Sequence, residues 1–259
     1  MDKMYLRFVK YFFRNPILTT KYIFYRKILK RDKFRYRGIL IDYGIFWGFV
    51  NNFFSLKDIK KISEDEIIIN IKNLGKFYVK NSIPVSDITD YNILNVKDKV
   101  VLDIGAYVGD SSIYFIRRGA KKVYTYEAVK DIYNTLVKNI ELNNLQDKII
   151  PINKGIDCNK GENYININYS ATGLEVGNEK IETIPIKDAF EEIYNKEGEF
   201  VAKIDCEGCE YSLLCLPDNI LKYSKEYVIE IHGSPQLLIS KFLRNGYKVK
   251  RIDRDNKWY

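Results

Sequence analysis

The stretch from Val100 to Asp110, VVLDIGAYVGD, constrains the fold more than any other part of the chain. Its first residues are apolar and mostly β-branched, a pattern typical of a parallel strand that is covered on both faces of a sheet. Gly105 and Gly109 then allow a tight turn and a close approach of the backbone to another group. Asp103 lies near the carboxyl end of the strand, the edge at which open α/β sheets bind small molecules. The stretch therefore predicts a strand–turn–helix unit that holds a nucleoside-type cofactor.

The spacing of the two glycines narrows the class of cofactor. A dinucleotide site requires G-x-G-x-x-G and a P-loop requires Gly-Lys-Ser/Thr, and this turn has neither sequence. The bulky Tyr107 stands where a pyrophosphate would have to approach. Asp103, two residues before the first glycine, suits a cationic ligand such as S-adenosylmethionine, which carries a sulfonium and an ammonium group. A turn whose glycines serve only packing is the alternative.

A second strand-end carboxylate follows about two dozen residues later. Residues 122–127, KVYTYE, predict a short strand that ends in Glu127, and residues 110–118 predict the intervening helix, which ends at Gly119. An acidic residue in this position of a βαβ unit accepts hydrogen bonds from ribose hydroxyls. By itself, Glu127 would be equally consistent with a solvent-exposed carboxylate at a strand end. Together with the glycine turn, it favours a cofactor site.

The rest of the chain alternates strand and helix patterns, which predicts an α/β fold with a doubly wound sheet. Apolar residues at helical spacing predict a helix over residues 131–143. The other predicted elements are strands over 148–152, 200–205 and 227–232, a strand-rich insertion over 162–186, and a helix over 187–194.

Two of the predicted strands end in residues that can transfer protons. Asp205 ends the fourth strand beside the Gly105 turn, and His232 ends the fifth. A hydroxyl is a poor nucleophile toward a sulfonium methyl group, so a base that withdraws its proton would assist the transfer. Asp205 or His232 is predicted to be that base, with the other orienting the acceptor or the base, and Glu207 joins them as a candidate catalytic residue. The alternatives are a structural, hydrogen-bonded histidine and a Glu207 that caps the next helix.

The sequence assigns no metal, although these three side chains are ligand types for Mg²⁺ or Mn²⁺, because no spacing defines a coordination geometry. Cys206 and Cys209 form a Cys-x-x-Cys pair, but Cys158 and Cys215 supply no second pair for a structural zinc site. Four cysteines in 259 residues without a secretion signal predict mostly reduced thiols in an intracellular protein.

Four motifs in order resemble the FkbM-type methyltransferases: LDIGAYVGDSS, YEAV, KIDCEGCE and EIH. The resemblance covers roughly residues 85–235. It implies the class I, Rossmann-like methyltransferase fold, with a seven-stranded sheet in the order 3-2-1-4-5-7-6 and an antiparallel strand near residues 247–252. It also implies an S-adenosylmethionine-dependent enzyme that methylates a hydroxyl of a sugar or secondary metabolite.

The motifs and the resemblance together define the predicted cofactor site. The loop of residues 153–156 falls where members of the family approach the adenine. The predicted cofactor contacts are Asp103, Gly105, Ala106, Tyr107, Gly109, Asp110, Ser111, Glu127, Ala128, Lys154 and Gly155.

The positive charge is concentrated at the N-terminus. Residues 1–37 hold 12 Lys and Arg against 2 acidic residues, so the whole net charge of +8 resides there, interleaved with ten aromatic residues. Neither a run of about 18–20 apolar residues nor a signal-peptide pattern is present. Three interpretations stay open: contact with an anionic membrane surface, nucleic-acid binding, and a helical cap that packs its aromatics on the catalytic domain. The cap and the membrane contact are favoured equally, and nucleic acid ranks third.

We therefore predict a basic aromatic extension over residues 1–60, a connector over 61–95 with a strand pair at 67–71 and 76–79, and an S-adenosylmethionine-binding methyltransferase domain over 96–259. The leading function is O-methylation of a sugar, glycan or glycolipid hydroxyl. The alternatives are an RNA methyltransferase that uses the basic arm, and a non-catalytic cofactor-binding module. The expected partners are a small-molecule or glycan acceptor and an anionic membrane, and the expected location is the cytoplasm or the inner membrane surface.

Overall fold

The computed structural model describes residues 3–31, 33–50, 55–80, 88–166, 175–176 and 179–252. The chain divides into two compact units, residues 1–87 with 138–144 and residues 88–137 with 145–259. Among the described residues, no helix has both the length and the apolar character needed to cross a bilayer.

The first unit begins with helices and ends in a small sheet. Its helices are α1 (Lys3–Arg14), α2 (Pro16–Ile23), which continues as a π-helical turn (Phe24–Ile28), and α3 (Tyr43–Val50). Its strands are the hairpin β1 (Phe34–Tyr36) and β2 (Ile39–Ile41), and the antiparallel sheet β3 (Ile59–Lys61), β4 (Glu66–Ile71) and β5 (Gly75–Lys80), preceded by a 3-10 turn (Leu56–Asp58). The predicted strand pair is β4 and β5.

Aromatic packing holds the helices of this unit together. The ring of Phe46 in α3 stacks on Tyr22 at 3.6 Å with nearly parallel planes, and Phe8 and Tyr11 of α1 contact the same ring at 6.3 and 6.0 Å. Phe46 is fully buried. Aromatic side chains therefore form the interior of the N-terminal segment.

The second unit follows the predicted alternation of strands and helices. After a 3-10 helix (Ile88–Ile93), its first elements are β6 (Val100–Ile104), α4 (Asp110–Arg117), β7 (Lys122–Tyr126), α5 (Lys130–Leu142, whose last residues group with the first unit) and β8 (Ile149–Ile152). The middle elements are β9 (Gly155–Asp157), β10 (Gly161–Asn166), β11 (Glu175–Val176), β12 (Glu179–Pro185) and α6 (Ile186–Glu197). The last elements are β13 (Phe200–Ile204), a 3-10 helix (Cys209–Cys215), α7 (Asp218–Leu221), β14 (Ser224–Ile229) and α8 (Gln236–Arg244).

A sheet of five parallel strands, in the order β14-β13-β6-β7-β8, forms the centre of this unit. All five residues of β6 and of β13 are buried, as expected for strands covered on both faces. Side chains from the helices, such as Phe190 of α6 and Phe242 of α8, belong to the same core cluster. The five strands confirm the predicted α/β fold and the 3-2-1-4-5 part of the predicted order.

The predicted antiparallel strand near residues 247–252 is wrong. The backbone N–H of Tyr247 bonds to Phe242 O at the end of α8, and the Tyr247 hydroxyl donates to Leu221 O and Ser224 O. Lys248 and the residues that follow it up to 252 are exposed and form no strand. The seven-stranded sheet is therefore not observed in the described residues.

The insertion before α6 is strand-rich, as predicted. It forms a separate four-stranded sheet in the order β11-β10-β12-β9, in which β12 pairs antiparallel with β10 and parallel with β9.

The prediction of reduced thiols is wrong, because the fold brings all four cysteines together in pairs. Cys158, in the turn after β9, is bonded to Cys215 at the end of a 3-10 helix, with a Cα–Cα distance of 5.6 Å. Cys206 and Cys209 are bonded across a turn, with a Cα–Cα distance of 5.4 Å. Both disulfides therefore hold the segment that follows β13.

Candidate active site

The glycine turn after β6 packs against the chain's own backbone. Gly105 has a φ of +74°, and a Cβ atom at this position would lie 1.8 Å from the carbonyl oxygen of Asp205. The N–H groups of Gly105 and Ala106 both donate to Tyr126 O at 3.0 Å. Gly109, with a φ of +85°, begins α4. The glycine at 105 is thus required for contact between the ends of β6 and β13.

Asp103 lies beneath this turn, fully buried, and is held on both sides. The hydroxyls of Ser111 and Ser112 each donate to its Oδ2 at 2.6 Å. Lys203, its partner in register on β13, places Nζ 3.2 Å from Asp103 Oδ1 and donates to Gly105 O at 2.6 Å. The carboxylate therefore fixes the turn and the start of α4, and its direct contact with a cofactor stays a prediction.

Lys203 is a buried cation, with 2% of its side chain exposed. Burial is the largest influence on its pKa and lowers it, but the charges of Asp103 and Asp205 outweigh burial and raise the pKa. Lys203 therefore carries a charge that neutralises the carboxylate beneath the turn.

Glu127 lies directly after β7, beside the same turn. Its Oε2 accepts a hydrogen bond from Tyr107 N at 3.0 Å, and its Oε1 accepts one from Val129 N at 2.9 Å. Burial raises the pKa of Glu127 to about 7, although these hydrogen bonds and the charge of Lys203 lower it. Since each carboxylate oxygen can accept two hydrogen bonds, Glu127 can still accept from a ligand.

The other predicted cofactor residues surround Glu127 and the turn to different extents. Ala106, Asp110 and Ser111 are buried, and Tyr107 adopts a φ of +50°. Ala128 is half-buried, and a Cβ at Gly155 would lie 3.4 Å from the Ala128 Cβ. Lys154, in contrast, forms an ion pair with Glu182.

One residue in the 153–156 loop, Asn153, has a positioning role that sequence reasoning did not assign. Its side-chain amide donates to Glu127 O at 2.9 Å and to Ala128 O at 3.1 Å. It therefore links the loop after β8 to the segment after β7.

The three predicted catalytic residues lie together, in the segments that follow β13 and β14. His232 Nε2 is 3.3 Å from Glu207 Oε2 and 4.0 Å from Asp205 Oδ1. His232 lies three residues beyond the end of β14, not at the strand end as predicted. Glu207 adopts a φ of +56° in the turn that the Cys206–Cys209 disulfide closes.

Two further carboxylates complete this group, which we call the carboxylate–histidine cluster: Asp205, Glu207, Glu210, Glu230 and His232. Glu230 Oε1 is 3.7 Å from His232 Nε2. Glu210 Oε1 is 3.4 Å from His232 Nδ1 and accepts a hydrogen bond from His232 N, while its Oε2 accepts one from Gly208 N. Four carboxylates thus surround one imidazole, and the fully buried Glu210 holds the turn of Glu207 against His232.

Tyr91 lies between Lys203, beneath the Gly105 turn, and Asp205 of the carboxylate–histidine cluster. Its hydroxyl donates to Asp205 Oδ2, and Lys203 Nζ lies 5.2 Å from the centre of its ring. Burial, followed by the charge of Asp205, raises the pKa of Tyr91 well above its ordinary value, so the hydroxyl stays protonated as a donor. No sequence signal marked Tyr91, because the segment before β6 shows no motif.

Asp205, Glu230 and His232 could also hold a metal ion. One ligand atom from each lies within 4.8 Å of the others, the only such group in the part of the chain that the structure describes. Two carboxylates and an imidazole suit Mn²⁺ or Mg²⁺ rather than a soft metal. Without a metal, the imidazole of the same cluster is a candidate general base.

Comparison with known proteins gives one family model that covers more than half of the chain. The model described as Methyltransferase FkbM domain matches residues 103–249. Protein arginine N-methyltransferase 6 of Danio rerio is 41% identical over 58 residues, which are 22% of this chain and 16% of that protein. The match thus spans about a sixth of that curated relative.

Among solved structures, the similarities are partial. Protein arginine methyltransferase 10 of Arabidopsis thaliana is 33% identical over 22% of this chain and 16% of that chain, with a TM-score of 0.22. A tRNA m1G37 methyltransferase of M. jannaschii is 28% identical over 35% of this chain and 31% of that chain, with a TM-score of 0.29.

Proposed function

The chain belongs to the FkbM methyltransferase family, and from this premise we propose that it transfers a methyl group from S-adenosylmethionine to a hydroxyl of a sugar, glycan or glycolipid. The proposal rests on one observation: the Gly105 turn and the carboxylate–histidine cluster lie at the same edge of the sheet. Gly105 lies against Asp205, and Asp205 lies 4.0 Å from His232. Asp205 and the predicted cofactor turn therefore lie at neighbouring strand ends, and His232 lies beside Asp205.

The residues around the turn suit the predicted cofactor. Glu127 keeps acceptor capacity for a ribose hydroxyl beside its bonds to Tyr107 N and Val129 N. By resemblance to the family, the loop that contains Gly155 lies where an adenine would bind, and Ala128 packs beside this glycine. When bound, S-adenosylmethionine supplies an electrophilic methyl group on its sulfonium. The buried Asp103–Lys203 pair keeps the turn in shape without contributing net charge.

The carboxylate–histidine cluster suits the acceptor. We assign the base to His232, because imidazole is the side chain that most often serves as a general base and its Nε2 lies 4.0 Å from Asp205 Oδ1 at this sheet edge. Glu210 holds the backbone of His232 through its N–H and places Oε1 3.4 Å from Nδ1. Asp205, held by the Tyr91 hydroxyl, orients the acceptor or the imidazole.

Cofactor binding is the first test. Calorimetry with S-adenosylmethionine and S-adenosylhomocysteine should show binding to the wild type and a loss of binding in Glu127→Ala. Glu192→Ala, which removes an exposed carboxylate on α6, is the matched control and should bind as the wild type does. If neither ligand binds the wild type, the proposal fails.

The acceptor is the second test. The protein is incubated with methyl-labelled S-adenosylmethionine and a cell extract fractionated into glycan, lipid, RNA and protein. Label in the glycan or lipid fraction supports the proposal. Label in RNA, lost steeply with salt, would favour the RNA methyltransferase instead, and cofactor binding without transfer to any fraction would favour a non-catalytic module.

A further inference from the structure

The N-terminal helices expose large apolar side chains among positive charges. Half of the exposed large apolar side chains in the described part of the chain lie between residues 6 and 29. We call this the basic apolar surface: it comprises Leu6, Phe13, Ile17, Ile23, Phe24, Ile28 and Leu29, together with the exposed cations Arg7, Lys10, Arg14, Arg26, Lys27, Lys30 and Arg31. Large exposed apolar side chains that gather in one segment, rather than scatter singly, are typical of interaction sites.

The exposed apolar residues of α1 face away from the packing of the first unit. Phe8 and Tyr11 contact Phe46, whereas Leu6 and Phe13, seven positions apart, lie on the opposite side of the helix. Phe13 is 78% exposed. The outer apolar side chains are therefore not needed to hold α1 in place, and they are available to a partner.

The charge around these side chains selects the partner. Residues 3–31 contain nine Lys and Arg and no acidic residue. An anionic bilayer attracts such a segment electrostatically, and apolar side chains on the same segment enter the boundary between headgroups and acyl chains.

Two other occupants fit this surface less well. A second copy related by two-fold symmetry would place these positive segments against each other, which costs electrostatic energy. Single-stranded nucleic acid binds through aromatic stacking. Five of the seven exposed apolar side chains are Leu or Ile, which cannot stack on bases.

We propose that the basic apolar surface docks the protein on anionic phospholipid bilayers, with its cations among the lipid phosphates and its apolar side chains below them. The contact is interfacial, since no described helix is able to span the membrane. This inference goes beyond the proposed function, and its test uses no methyl donor or acceptor. The membrane contact can therefore fail while the proposed function holds, and the reverse.

Sedimentation with vesicles of pure phosphatidylglycerol or pure phosphatidylcholine, at low and high salt, tests the wild-type protein. The expected result is strong binding to phosphatidylglycerol that weakens with salt, and little binding to phosphatidylcholine. Equal binding to both lipids, or binding to neither, overturns the proposal. Displacement from the vesicles by a single-stranded RNA at equal mass also overturns it, in favour of nucleic acid.

Paired variants locate the contact. Replacing Lys10, Arg14, Lys27 and Lys30 by Gln should weaken binding by about two to three orders of magnitude, since each cation contributes about fivefold. The control replaces the exposed Lys60, Lys61, Lys222 and Lys248 by Gln, with the same loss of charge.

The apolar contribution has its own pair of variants. Ile17→Ser with Ile28→Ser, at side chains 71% and 65% exposed, should weaken binding about tenfold. Leu237→Ser with Leu243→Ser, on α8, removes similar exposed apolar area and should leave binding unchanged. All four changed side chains are exposed, so circular dichroism should show the same fold. Equal losses in the variant and its control would refute the assignment to this surface.

Discussion

Glu127 should make the protein less stable as the pH rises, and replacing it by Gln should remove this effect. Its side chain is 8% exposed, and both carboxylate oxygens face backbone N–H groups, those of Tyr107 and Val129. Burial disfavours the charged form and raises the pKa to about 7 from 4.5. In the folded protein, Glu127 therefore holds a proton that the unfolded chain releases at lower pH.

The size and sign of the effect follow from this difference in pKa. A difference of one in pKa between the folded and unfolded states changes the free energy of unfolding by about 1.4 kcal/mol. The change from 4.5 to about 7 therefore amounts to about 3 kcal/mol. Because the folded state binds the proton more tightly, this contribution is fully present below pH 4.5 and is lost as the pH rises to about 7. The Gln side chain does not titrate, but its amide nitrogen cannot accept from a backbone N–H, which costs about 1 kcal/mol at every pH. Glu127→Gln should thus be less stable than the wild type in acid and about 2 kcal/mol more stable above pH 7.

Urea unfolding followed by circular dichroism measures which of the two proteins is more stable at each pH. The pH values should lie on either side of 4.5 and of about 7. Glu197→Gln is the control of opposite sign, because a hydrogen bond from Lys122 lowers the pKa of Glu197. That variant should be most destabilised at neutral pH and approach the wild type in acid. A difference between Glu127→Gln and the wild type that stays constant with pH would refute the reasoning.

Three further changes test the site and the fold. His232→Asn should lower the rate of labelled methyl transfer by about two to four orders of magnitude while calorimetric binding of S-adenosylhomocysteine stays unchanged. Lys203→Met should lower the free energy of unfolding by about 3–5 kcal/mol, because it leaves the Asp103 carboxylate buried without its cation, and adding Asp103→Asn should recover part of the loss in urea unfolding. Cys158→Ala with Cys215→Ala removes the disulfide that joins two residues 57 positions apart. The double change should lower the free energy of unfolding by about 4 kcal/mol, measured without reductant.

Elements whose pattern is local could be predicted from the sequence. The apolar run of β6, the Gly105 turn and the helical stripe of α5 are each visible within a dozen residues. The order of the five parallel strands followed from the resemblance to a family. The structure also brings Asp205, Glu207 and His232 together, because parallel strands end at the same edge of a sheet.

Features that depend on which strands become neighbours could not be predicted. The disulfide between Cys158 and Cys215 joins residues whose proximity exists only in the folded chain. Tyr91 reaches Asp205 across 114 positions of sequence. The absence of a strand over residues 247–252 has another cause: Tyr247 is anchored by its hydroxyl to the backbone near β14, while its own backbone bonds to α8.

A carboxylate at the end of a parallel strand has two different roles here, and the neighbouring strand decides between them. Asp103 faces Lys203 in register on β13, so its charge is neutralised beneath the turn, and its remaining oxygen accepts from two serine hydroxyls. Glu127 instead accepts hydrogen bonds from two backbone N–H groups, which leaves acceptor capacity, and its burial raises its pKa to about 7. The same sequence pattern, an acid ending a strand, therefore predicts a ligand contact only where the adjacent strand carries no cation at that level. By this criterion, we predict that Glu127 contacts the ligand and that the Asp103–Lys203 pair holds the neighbouring turn in place.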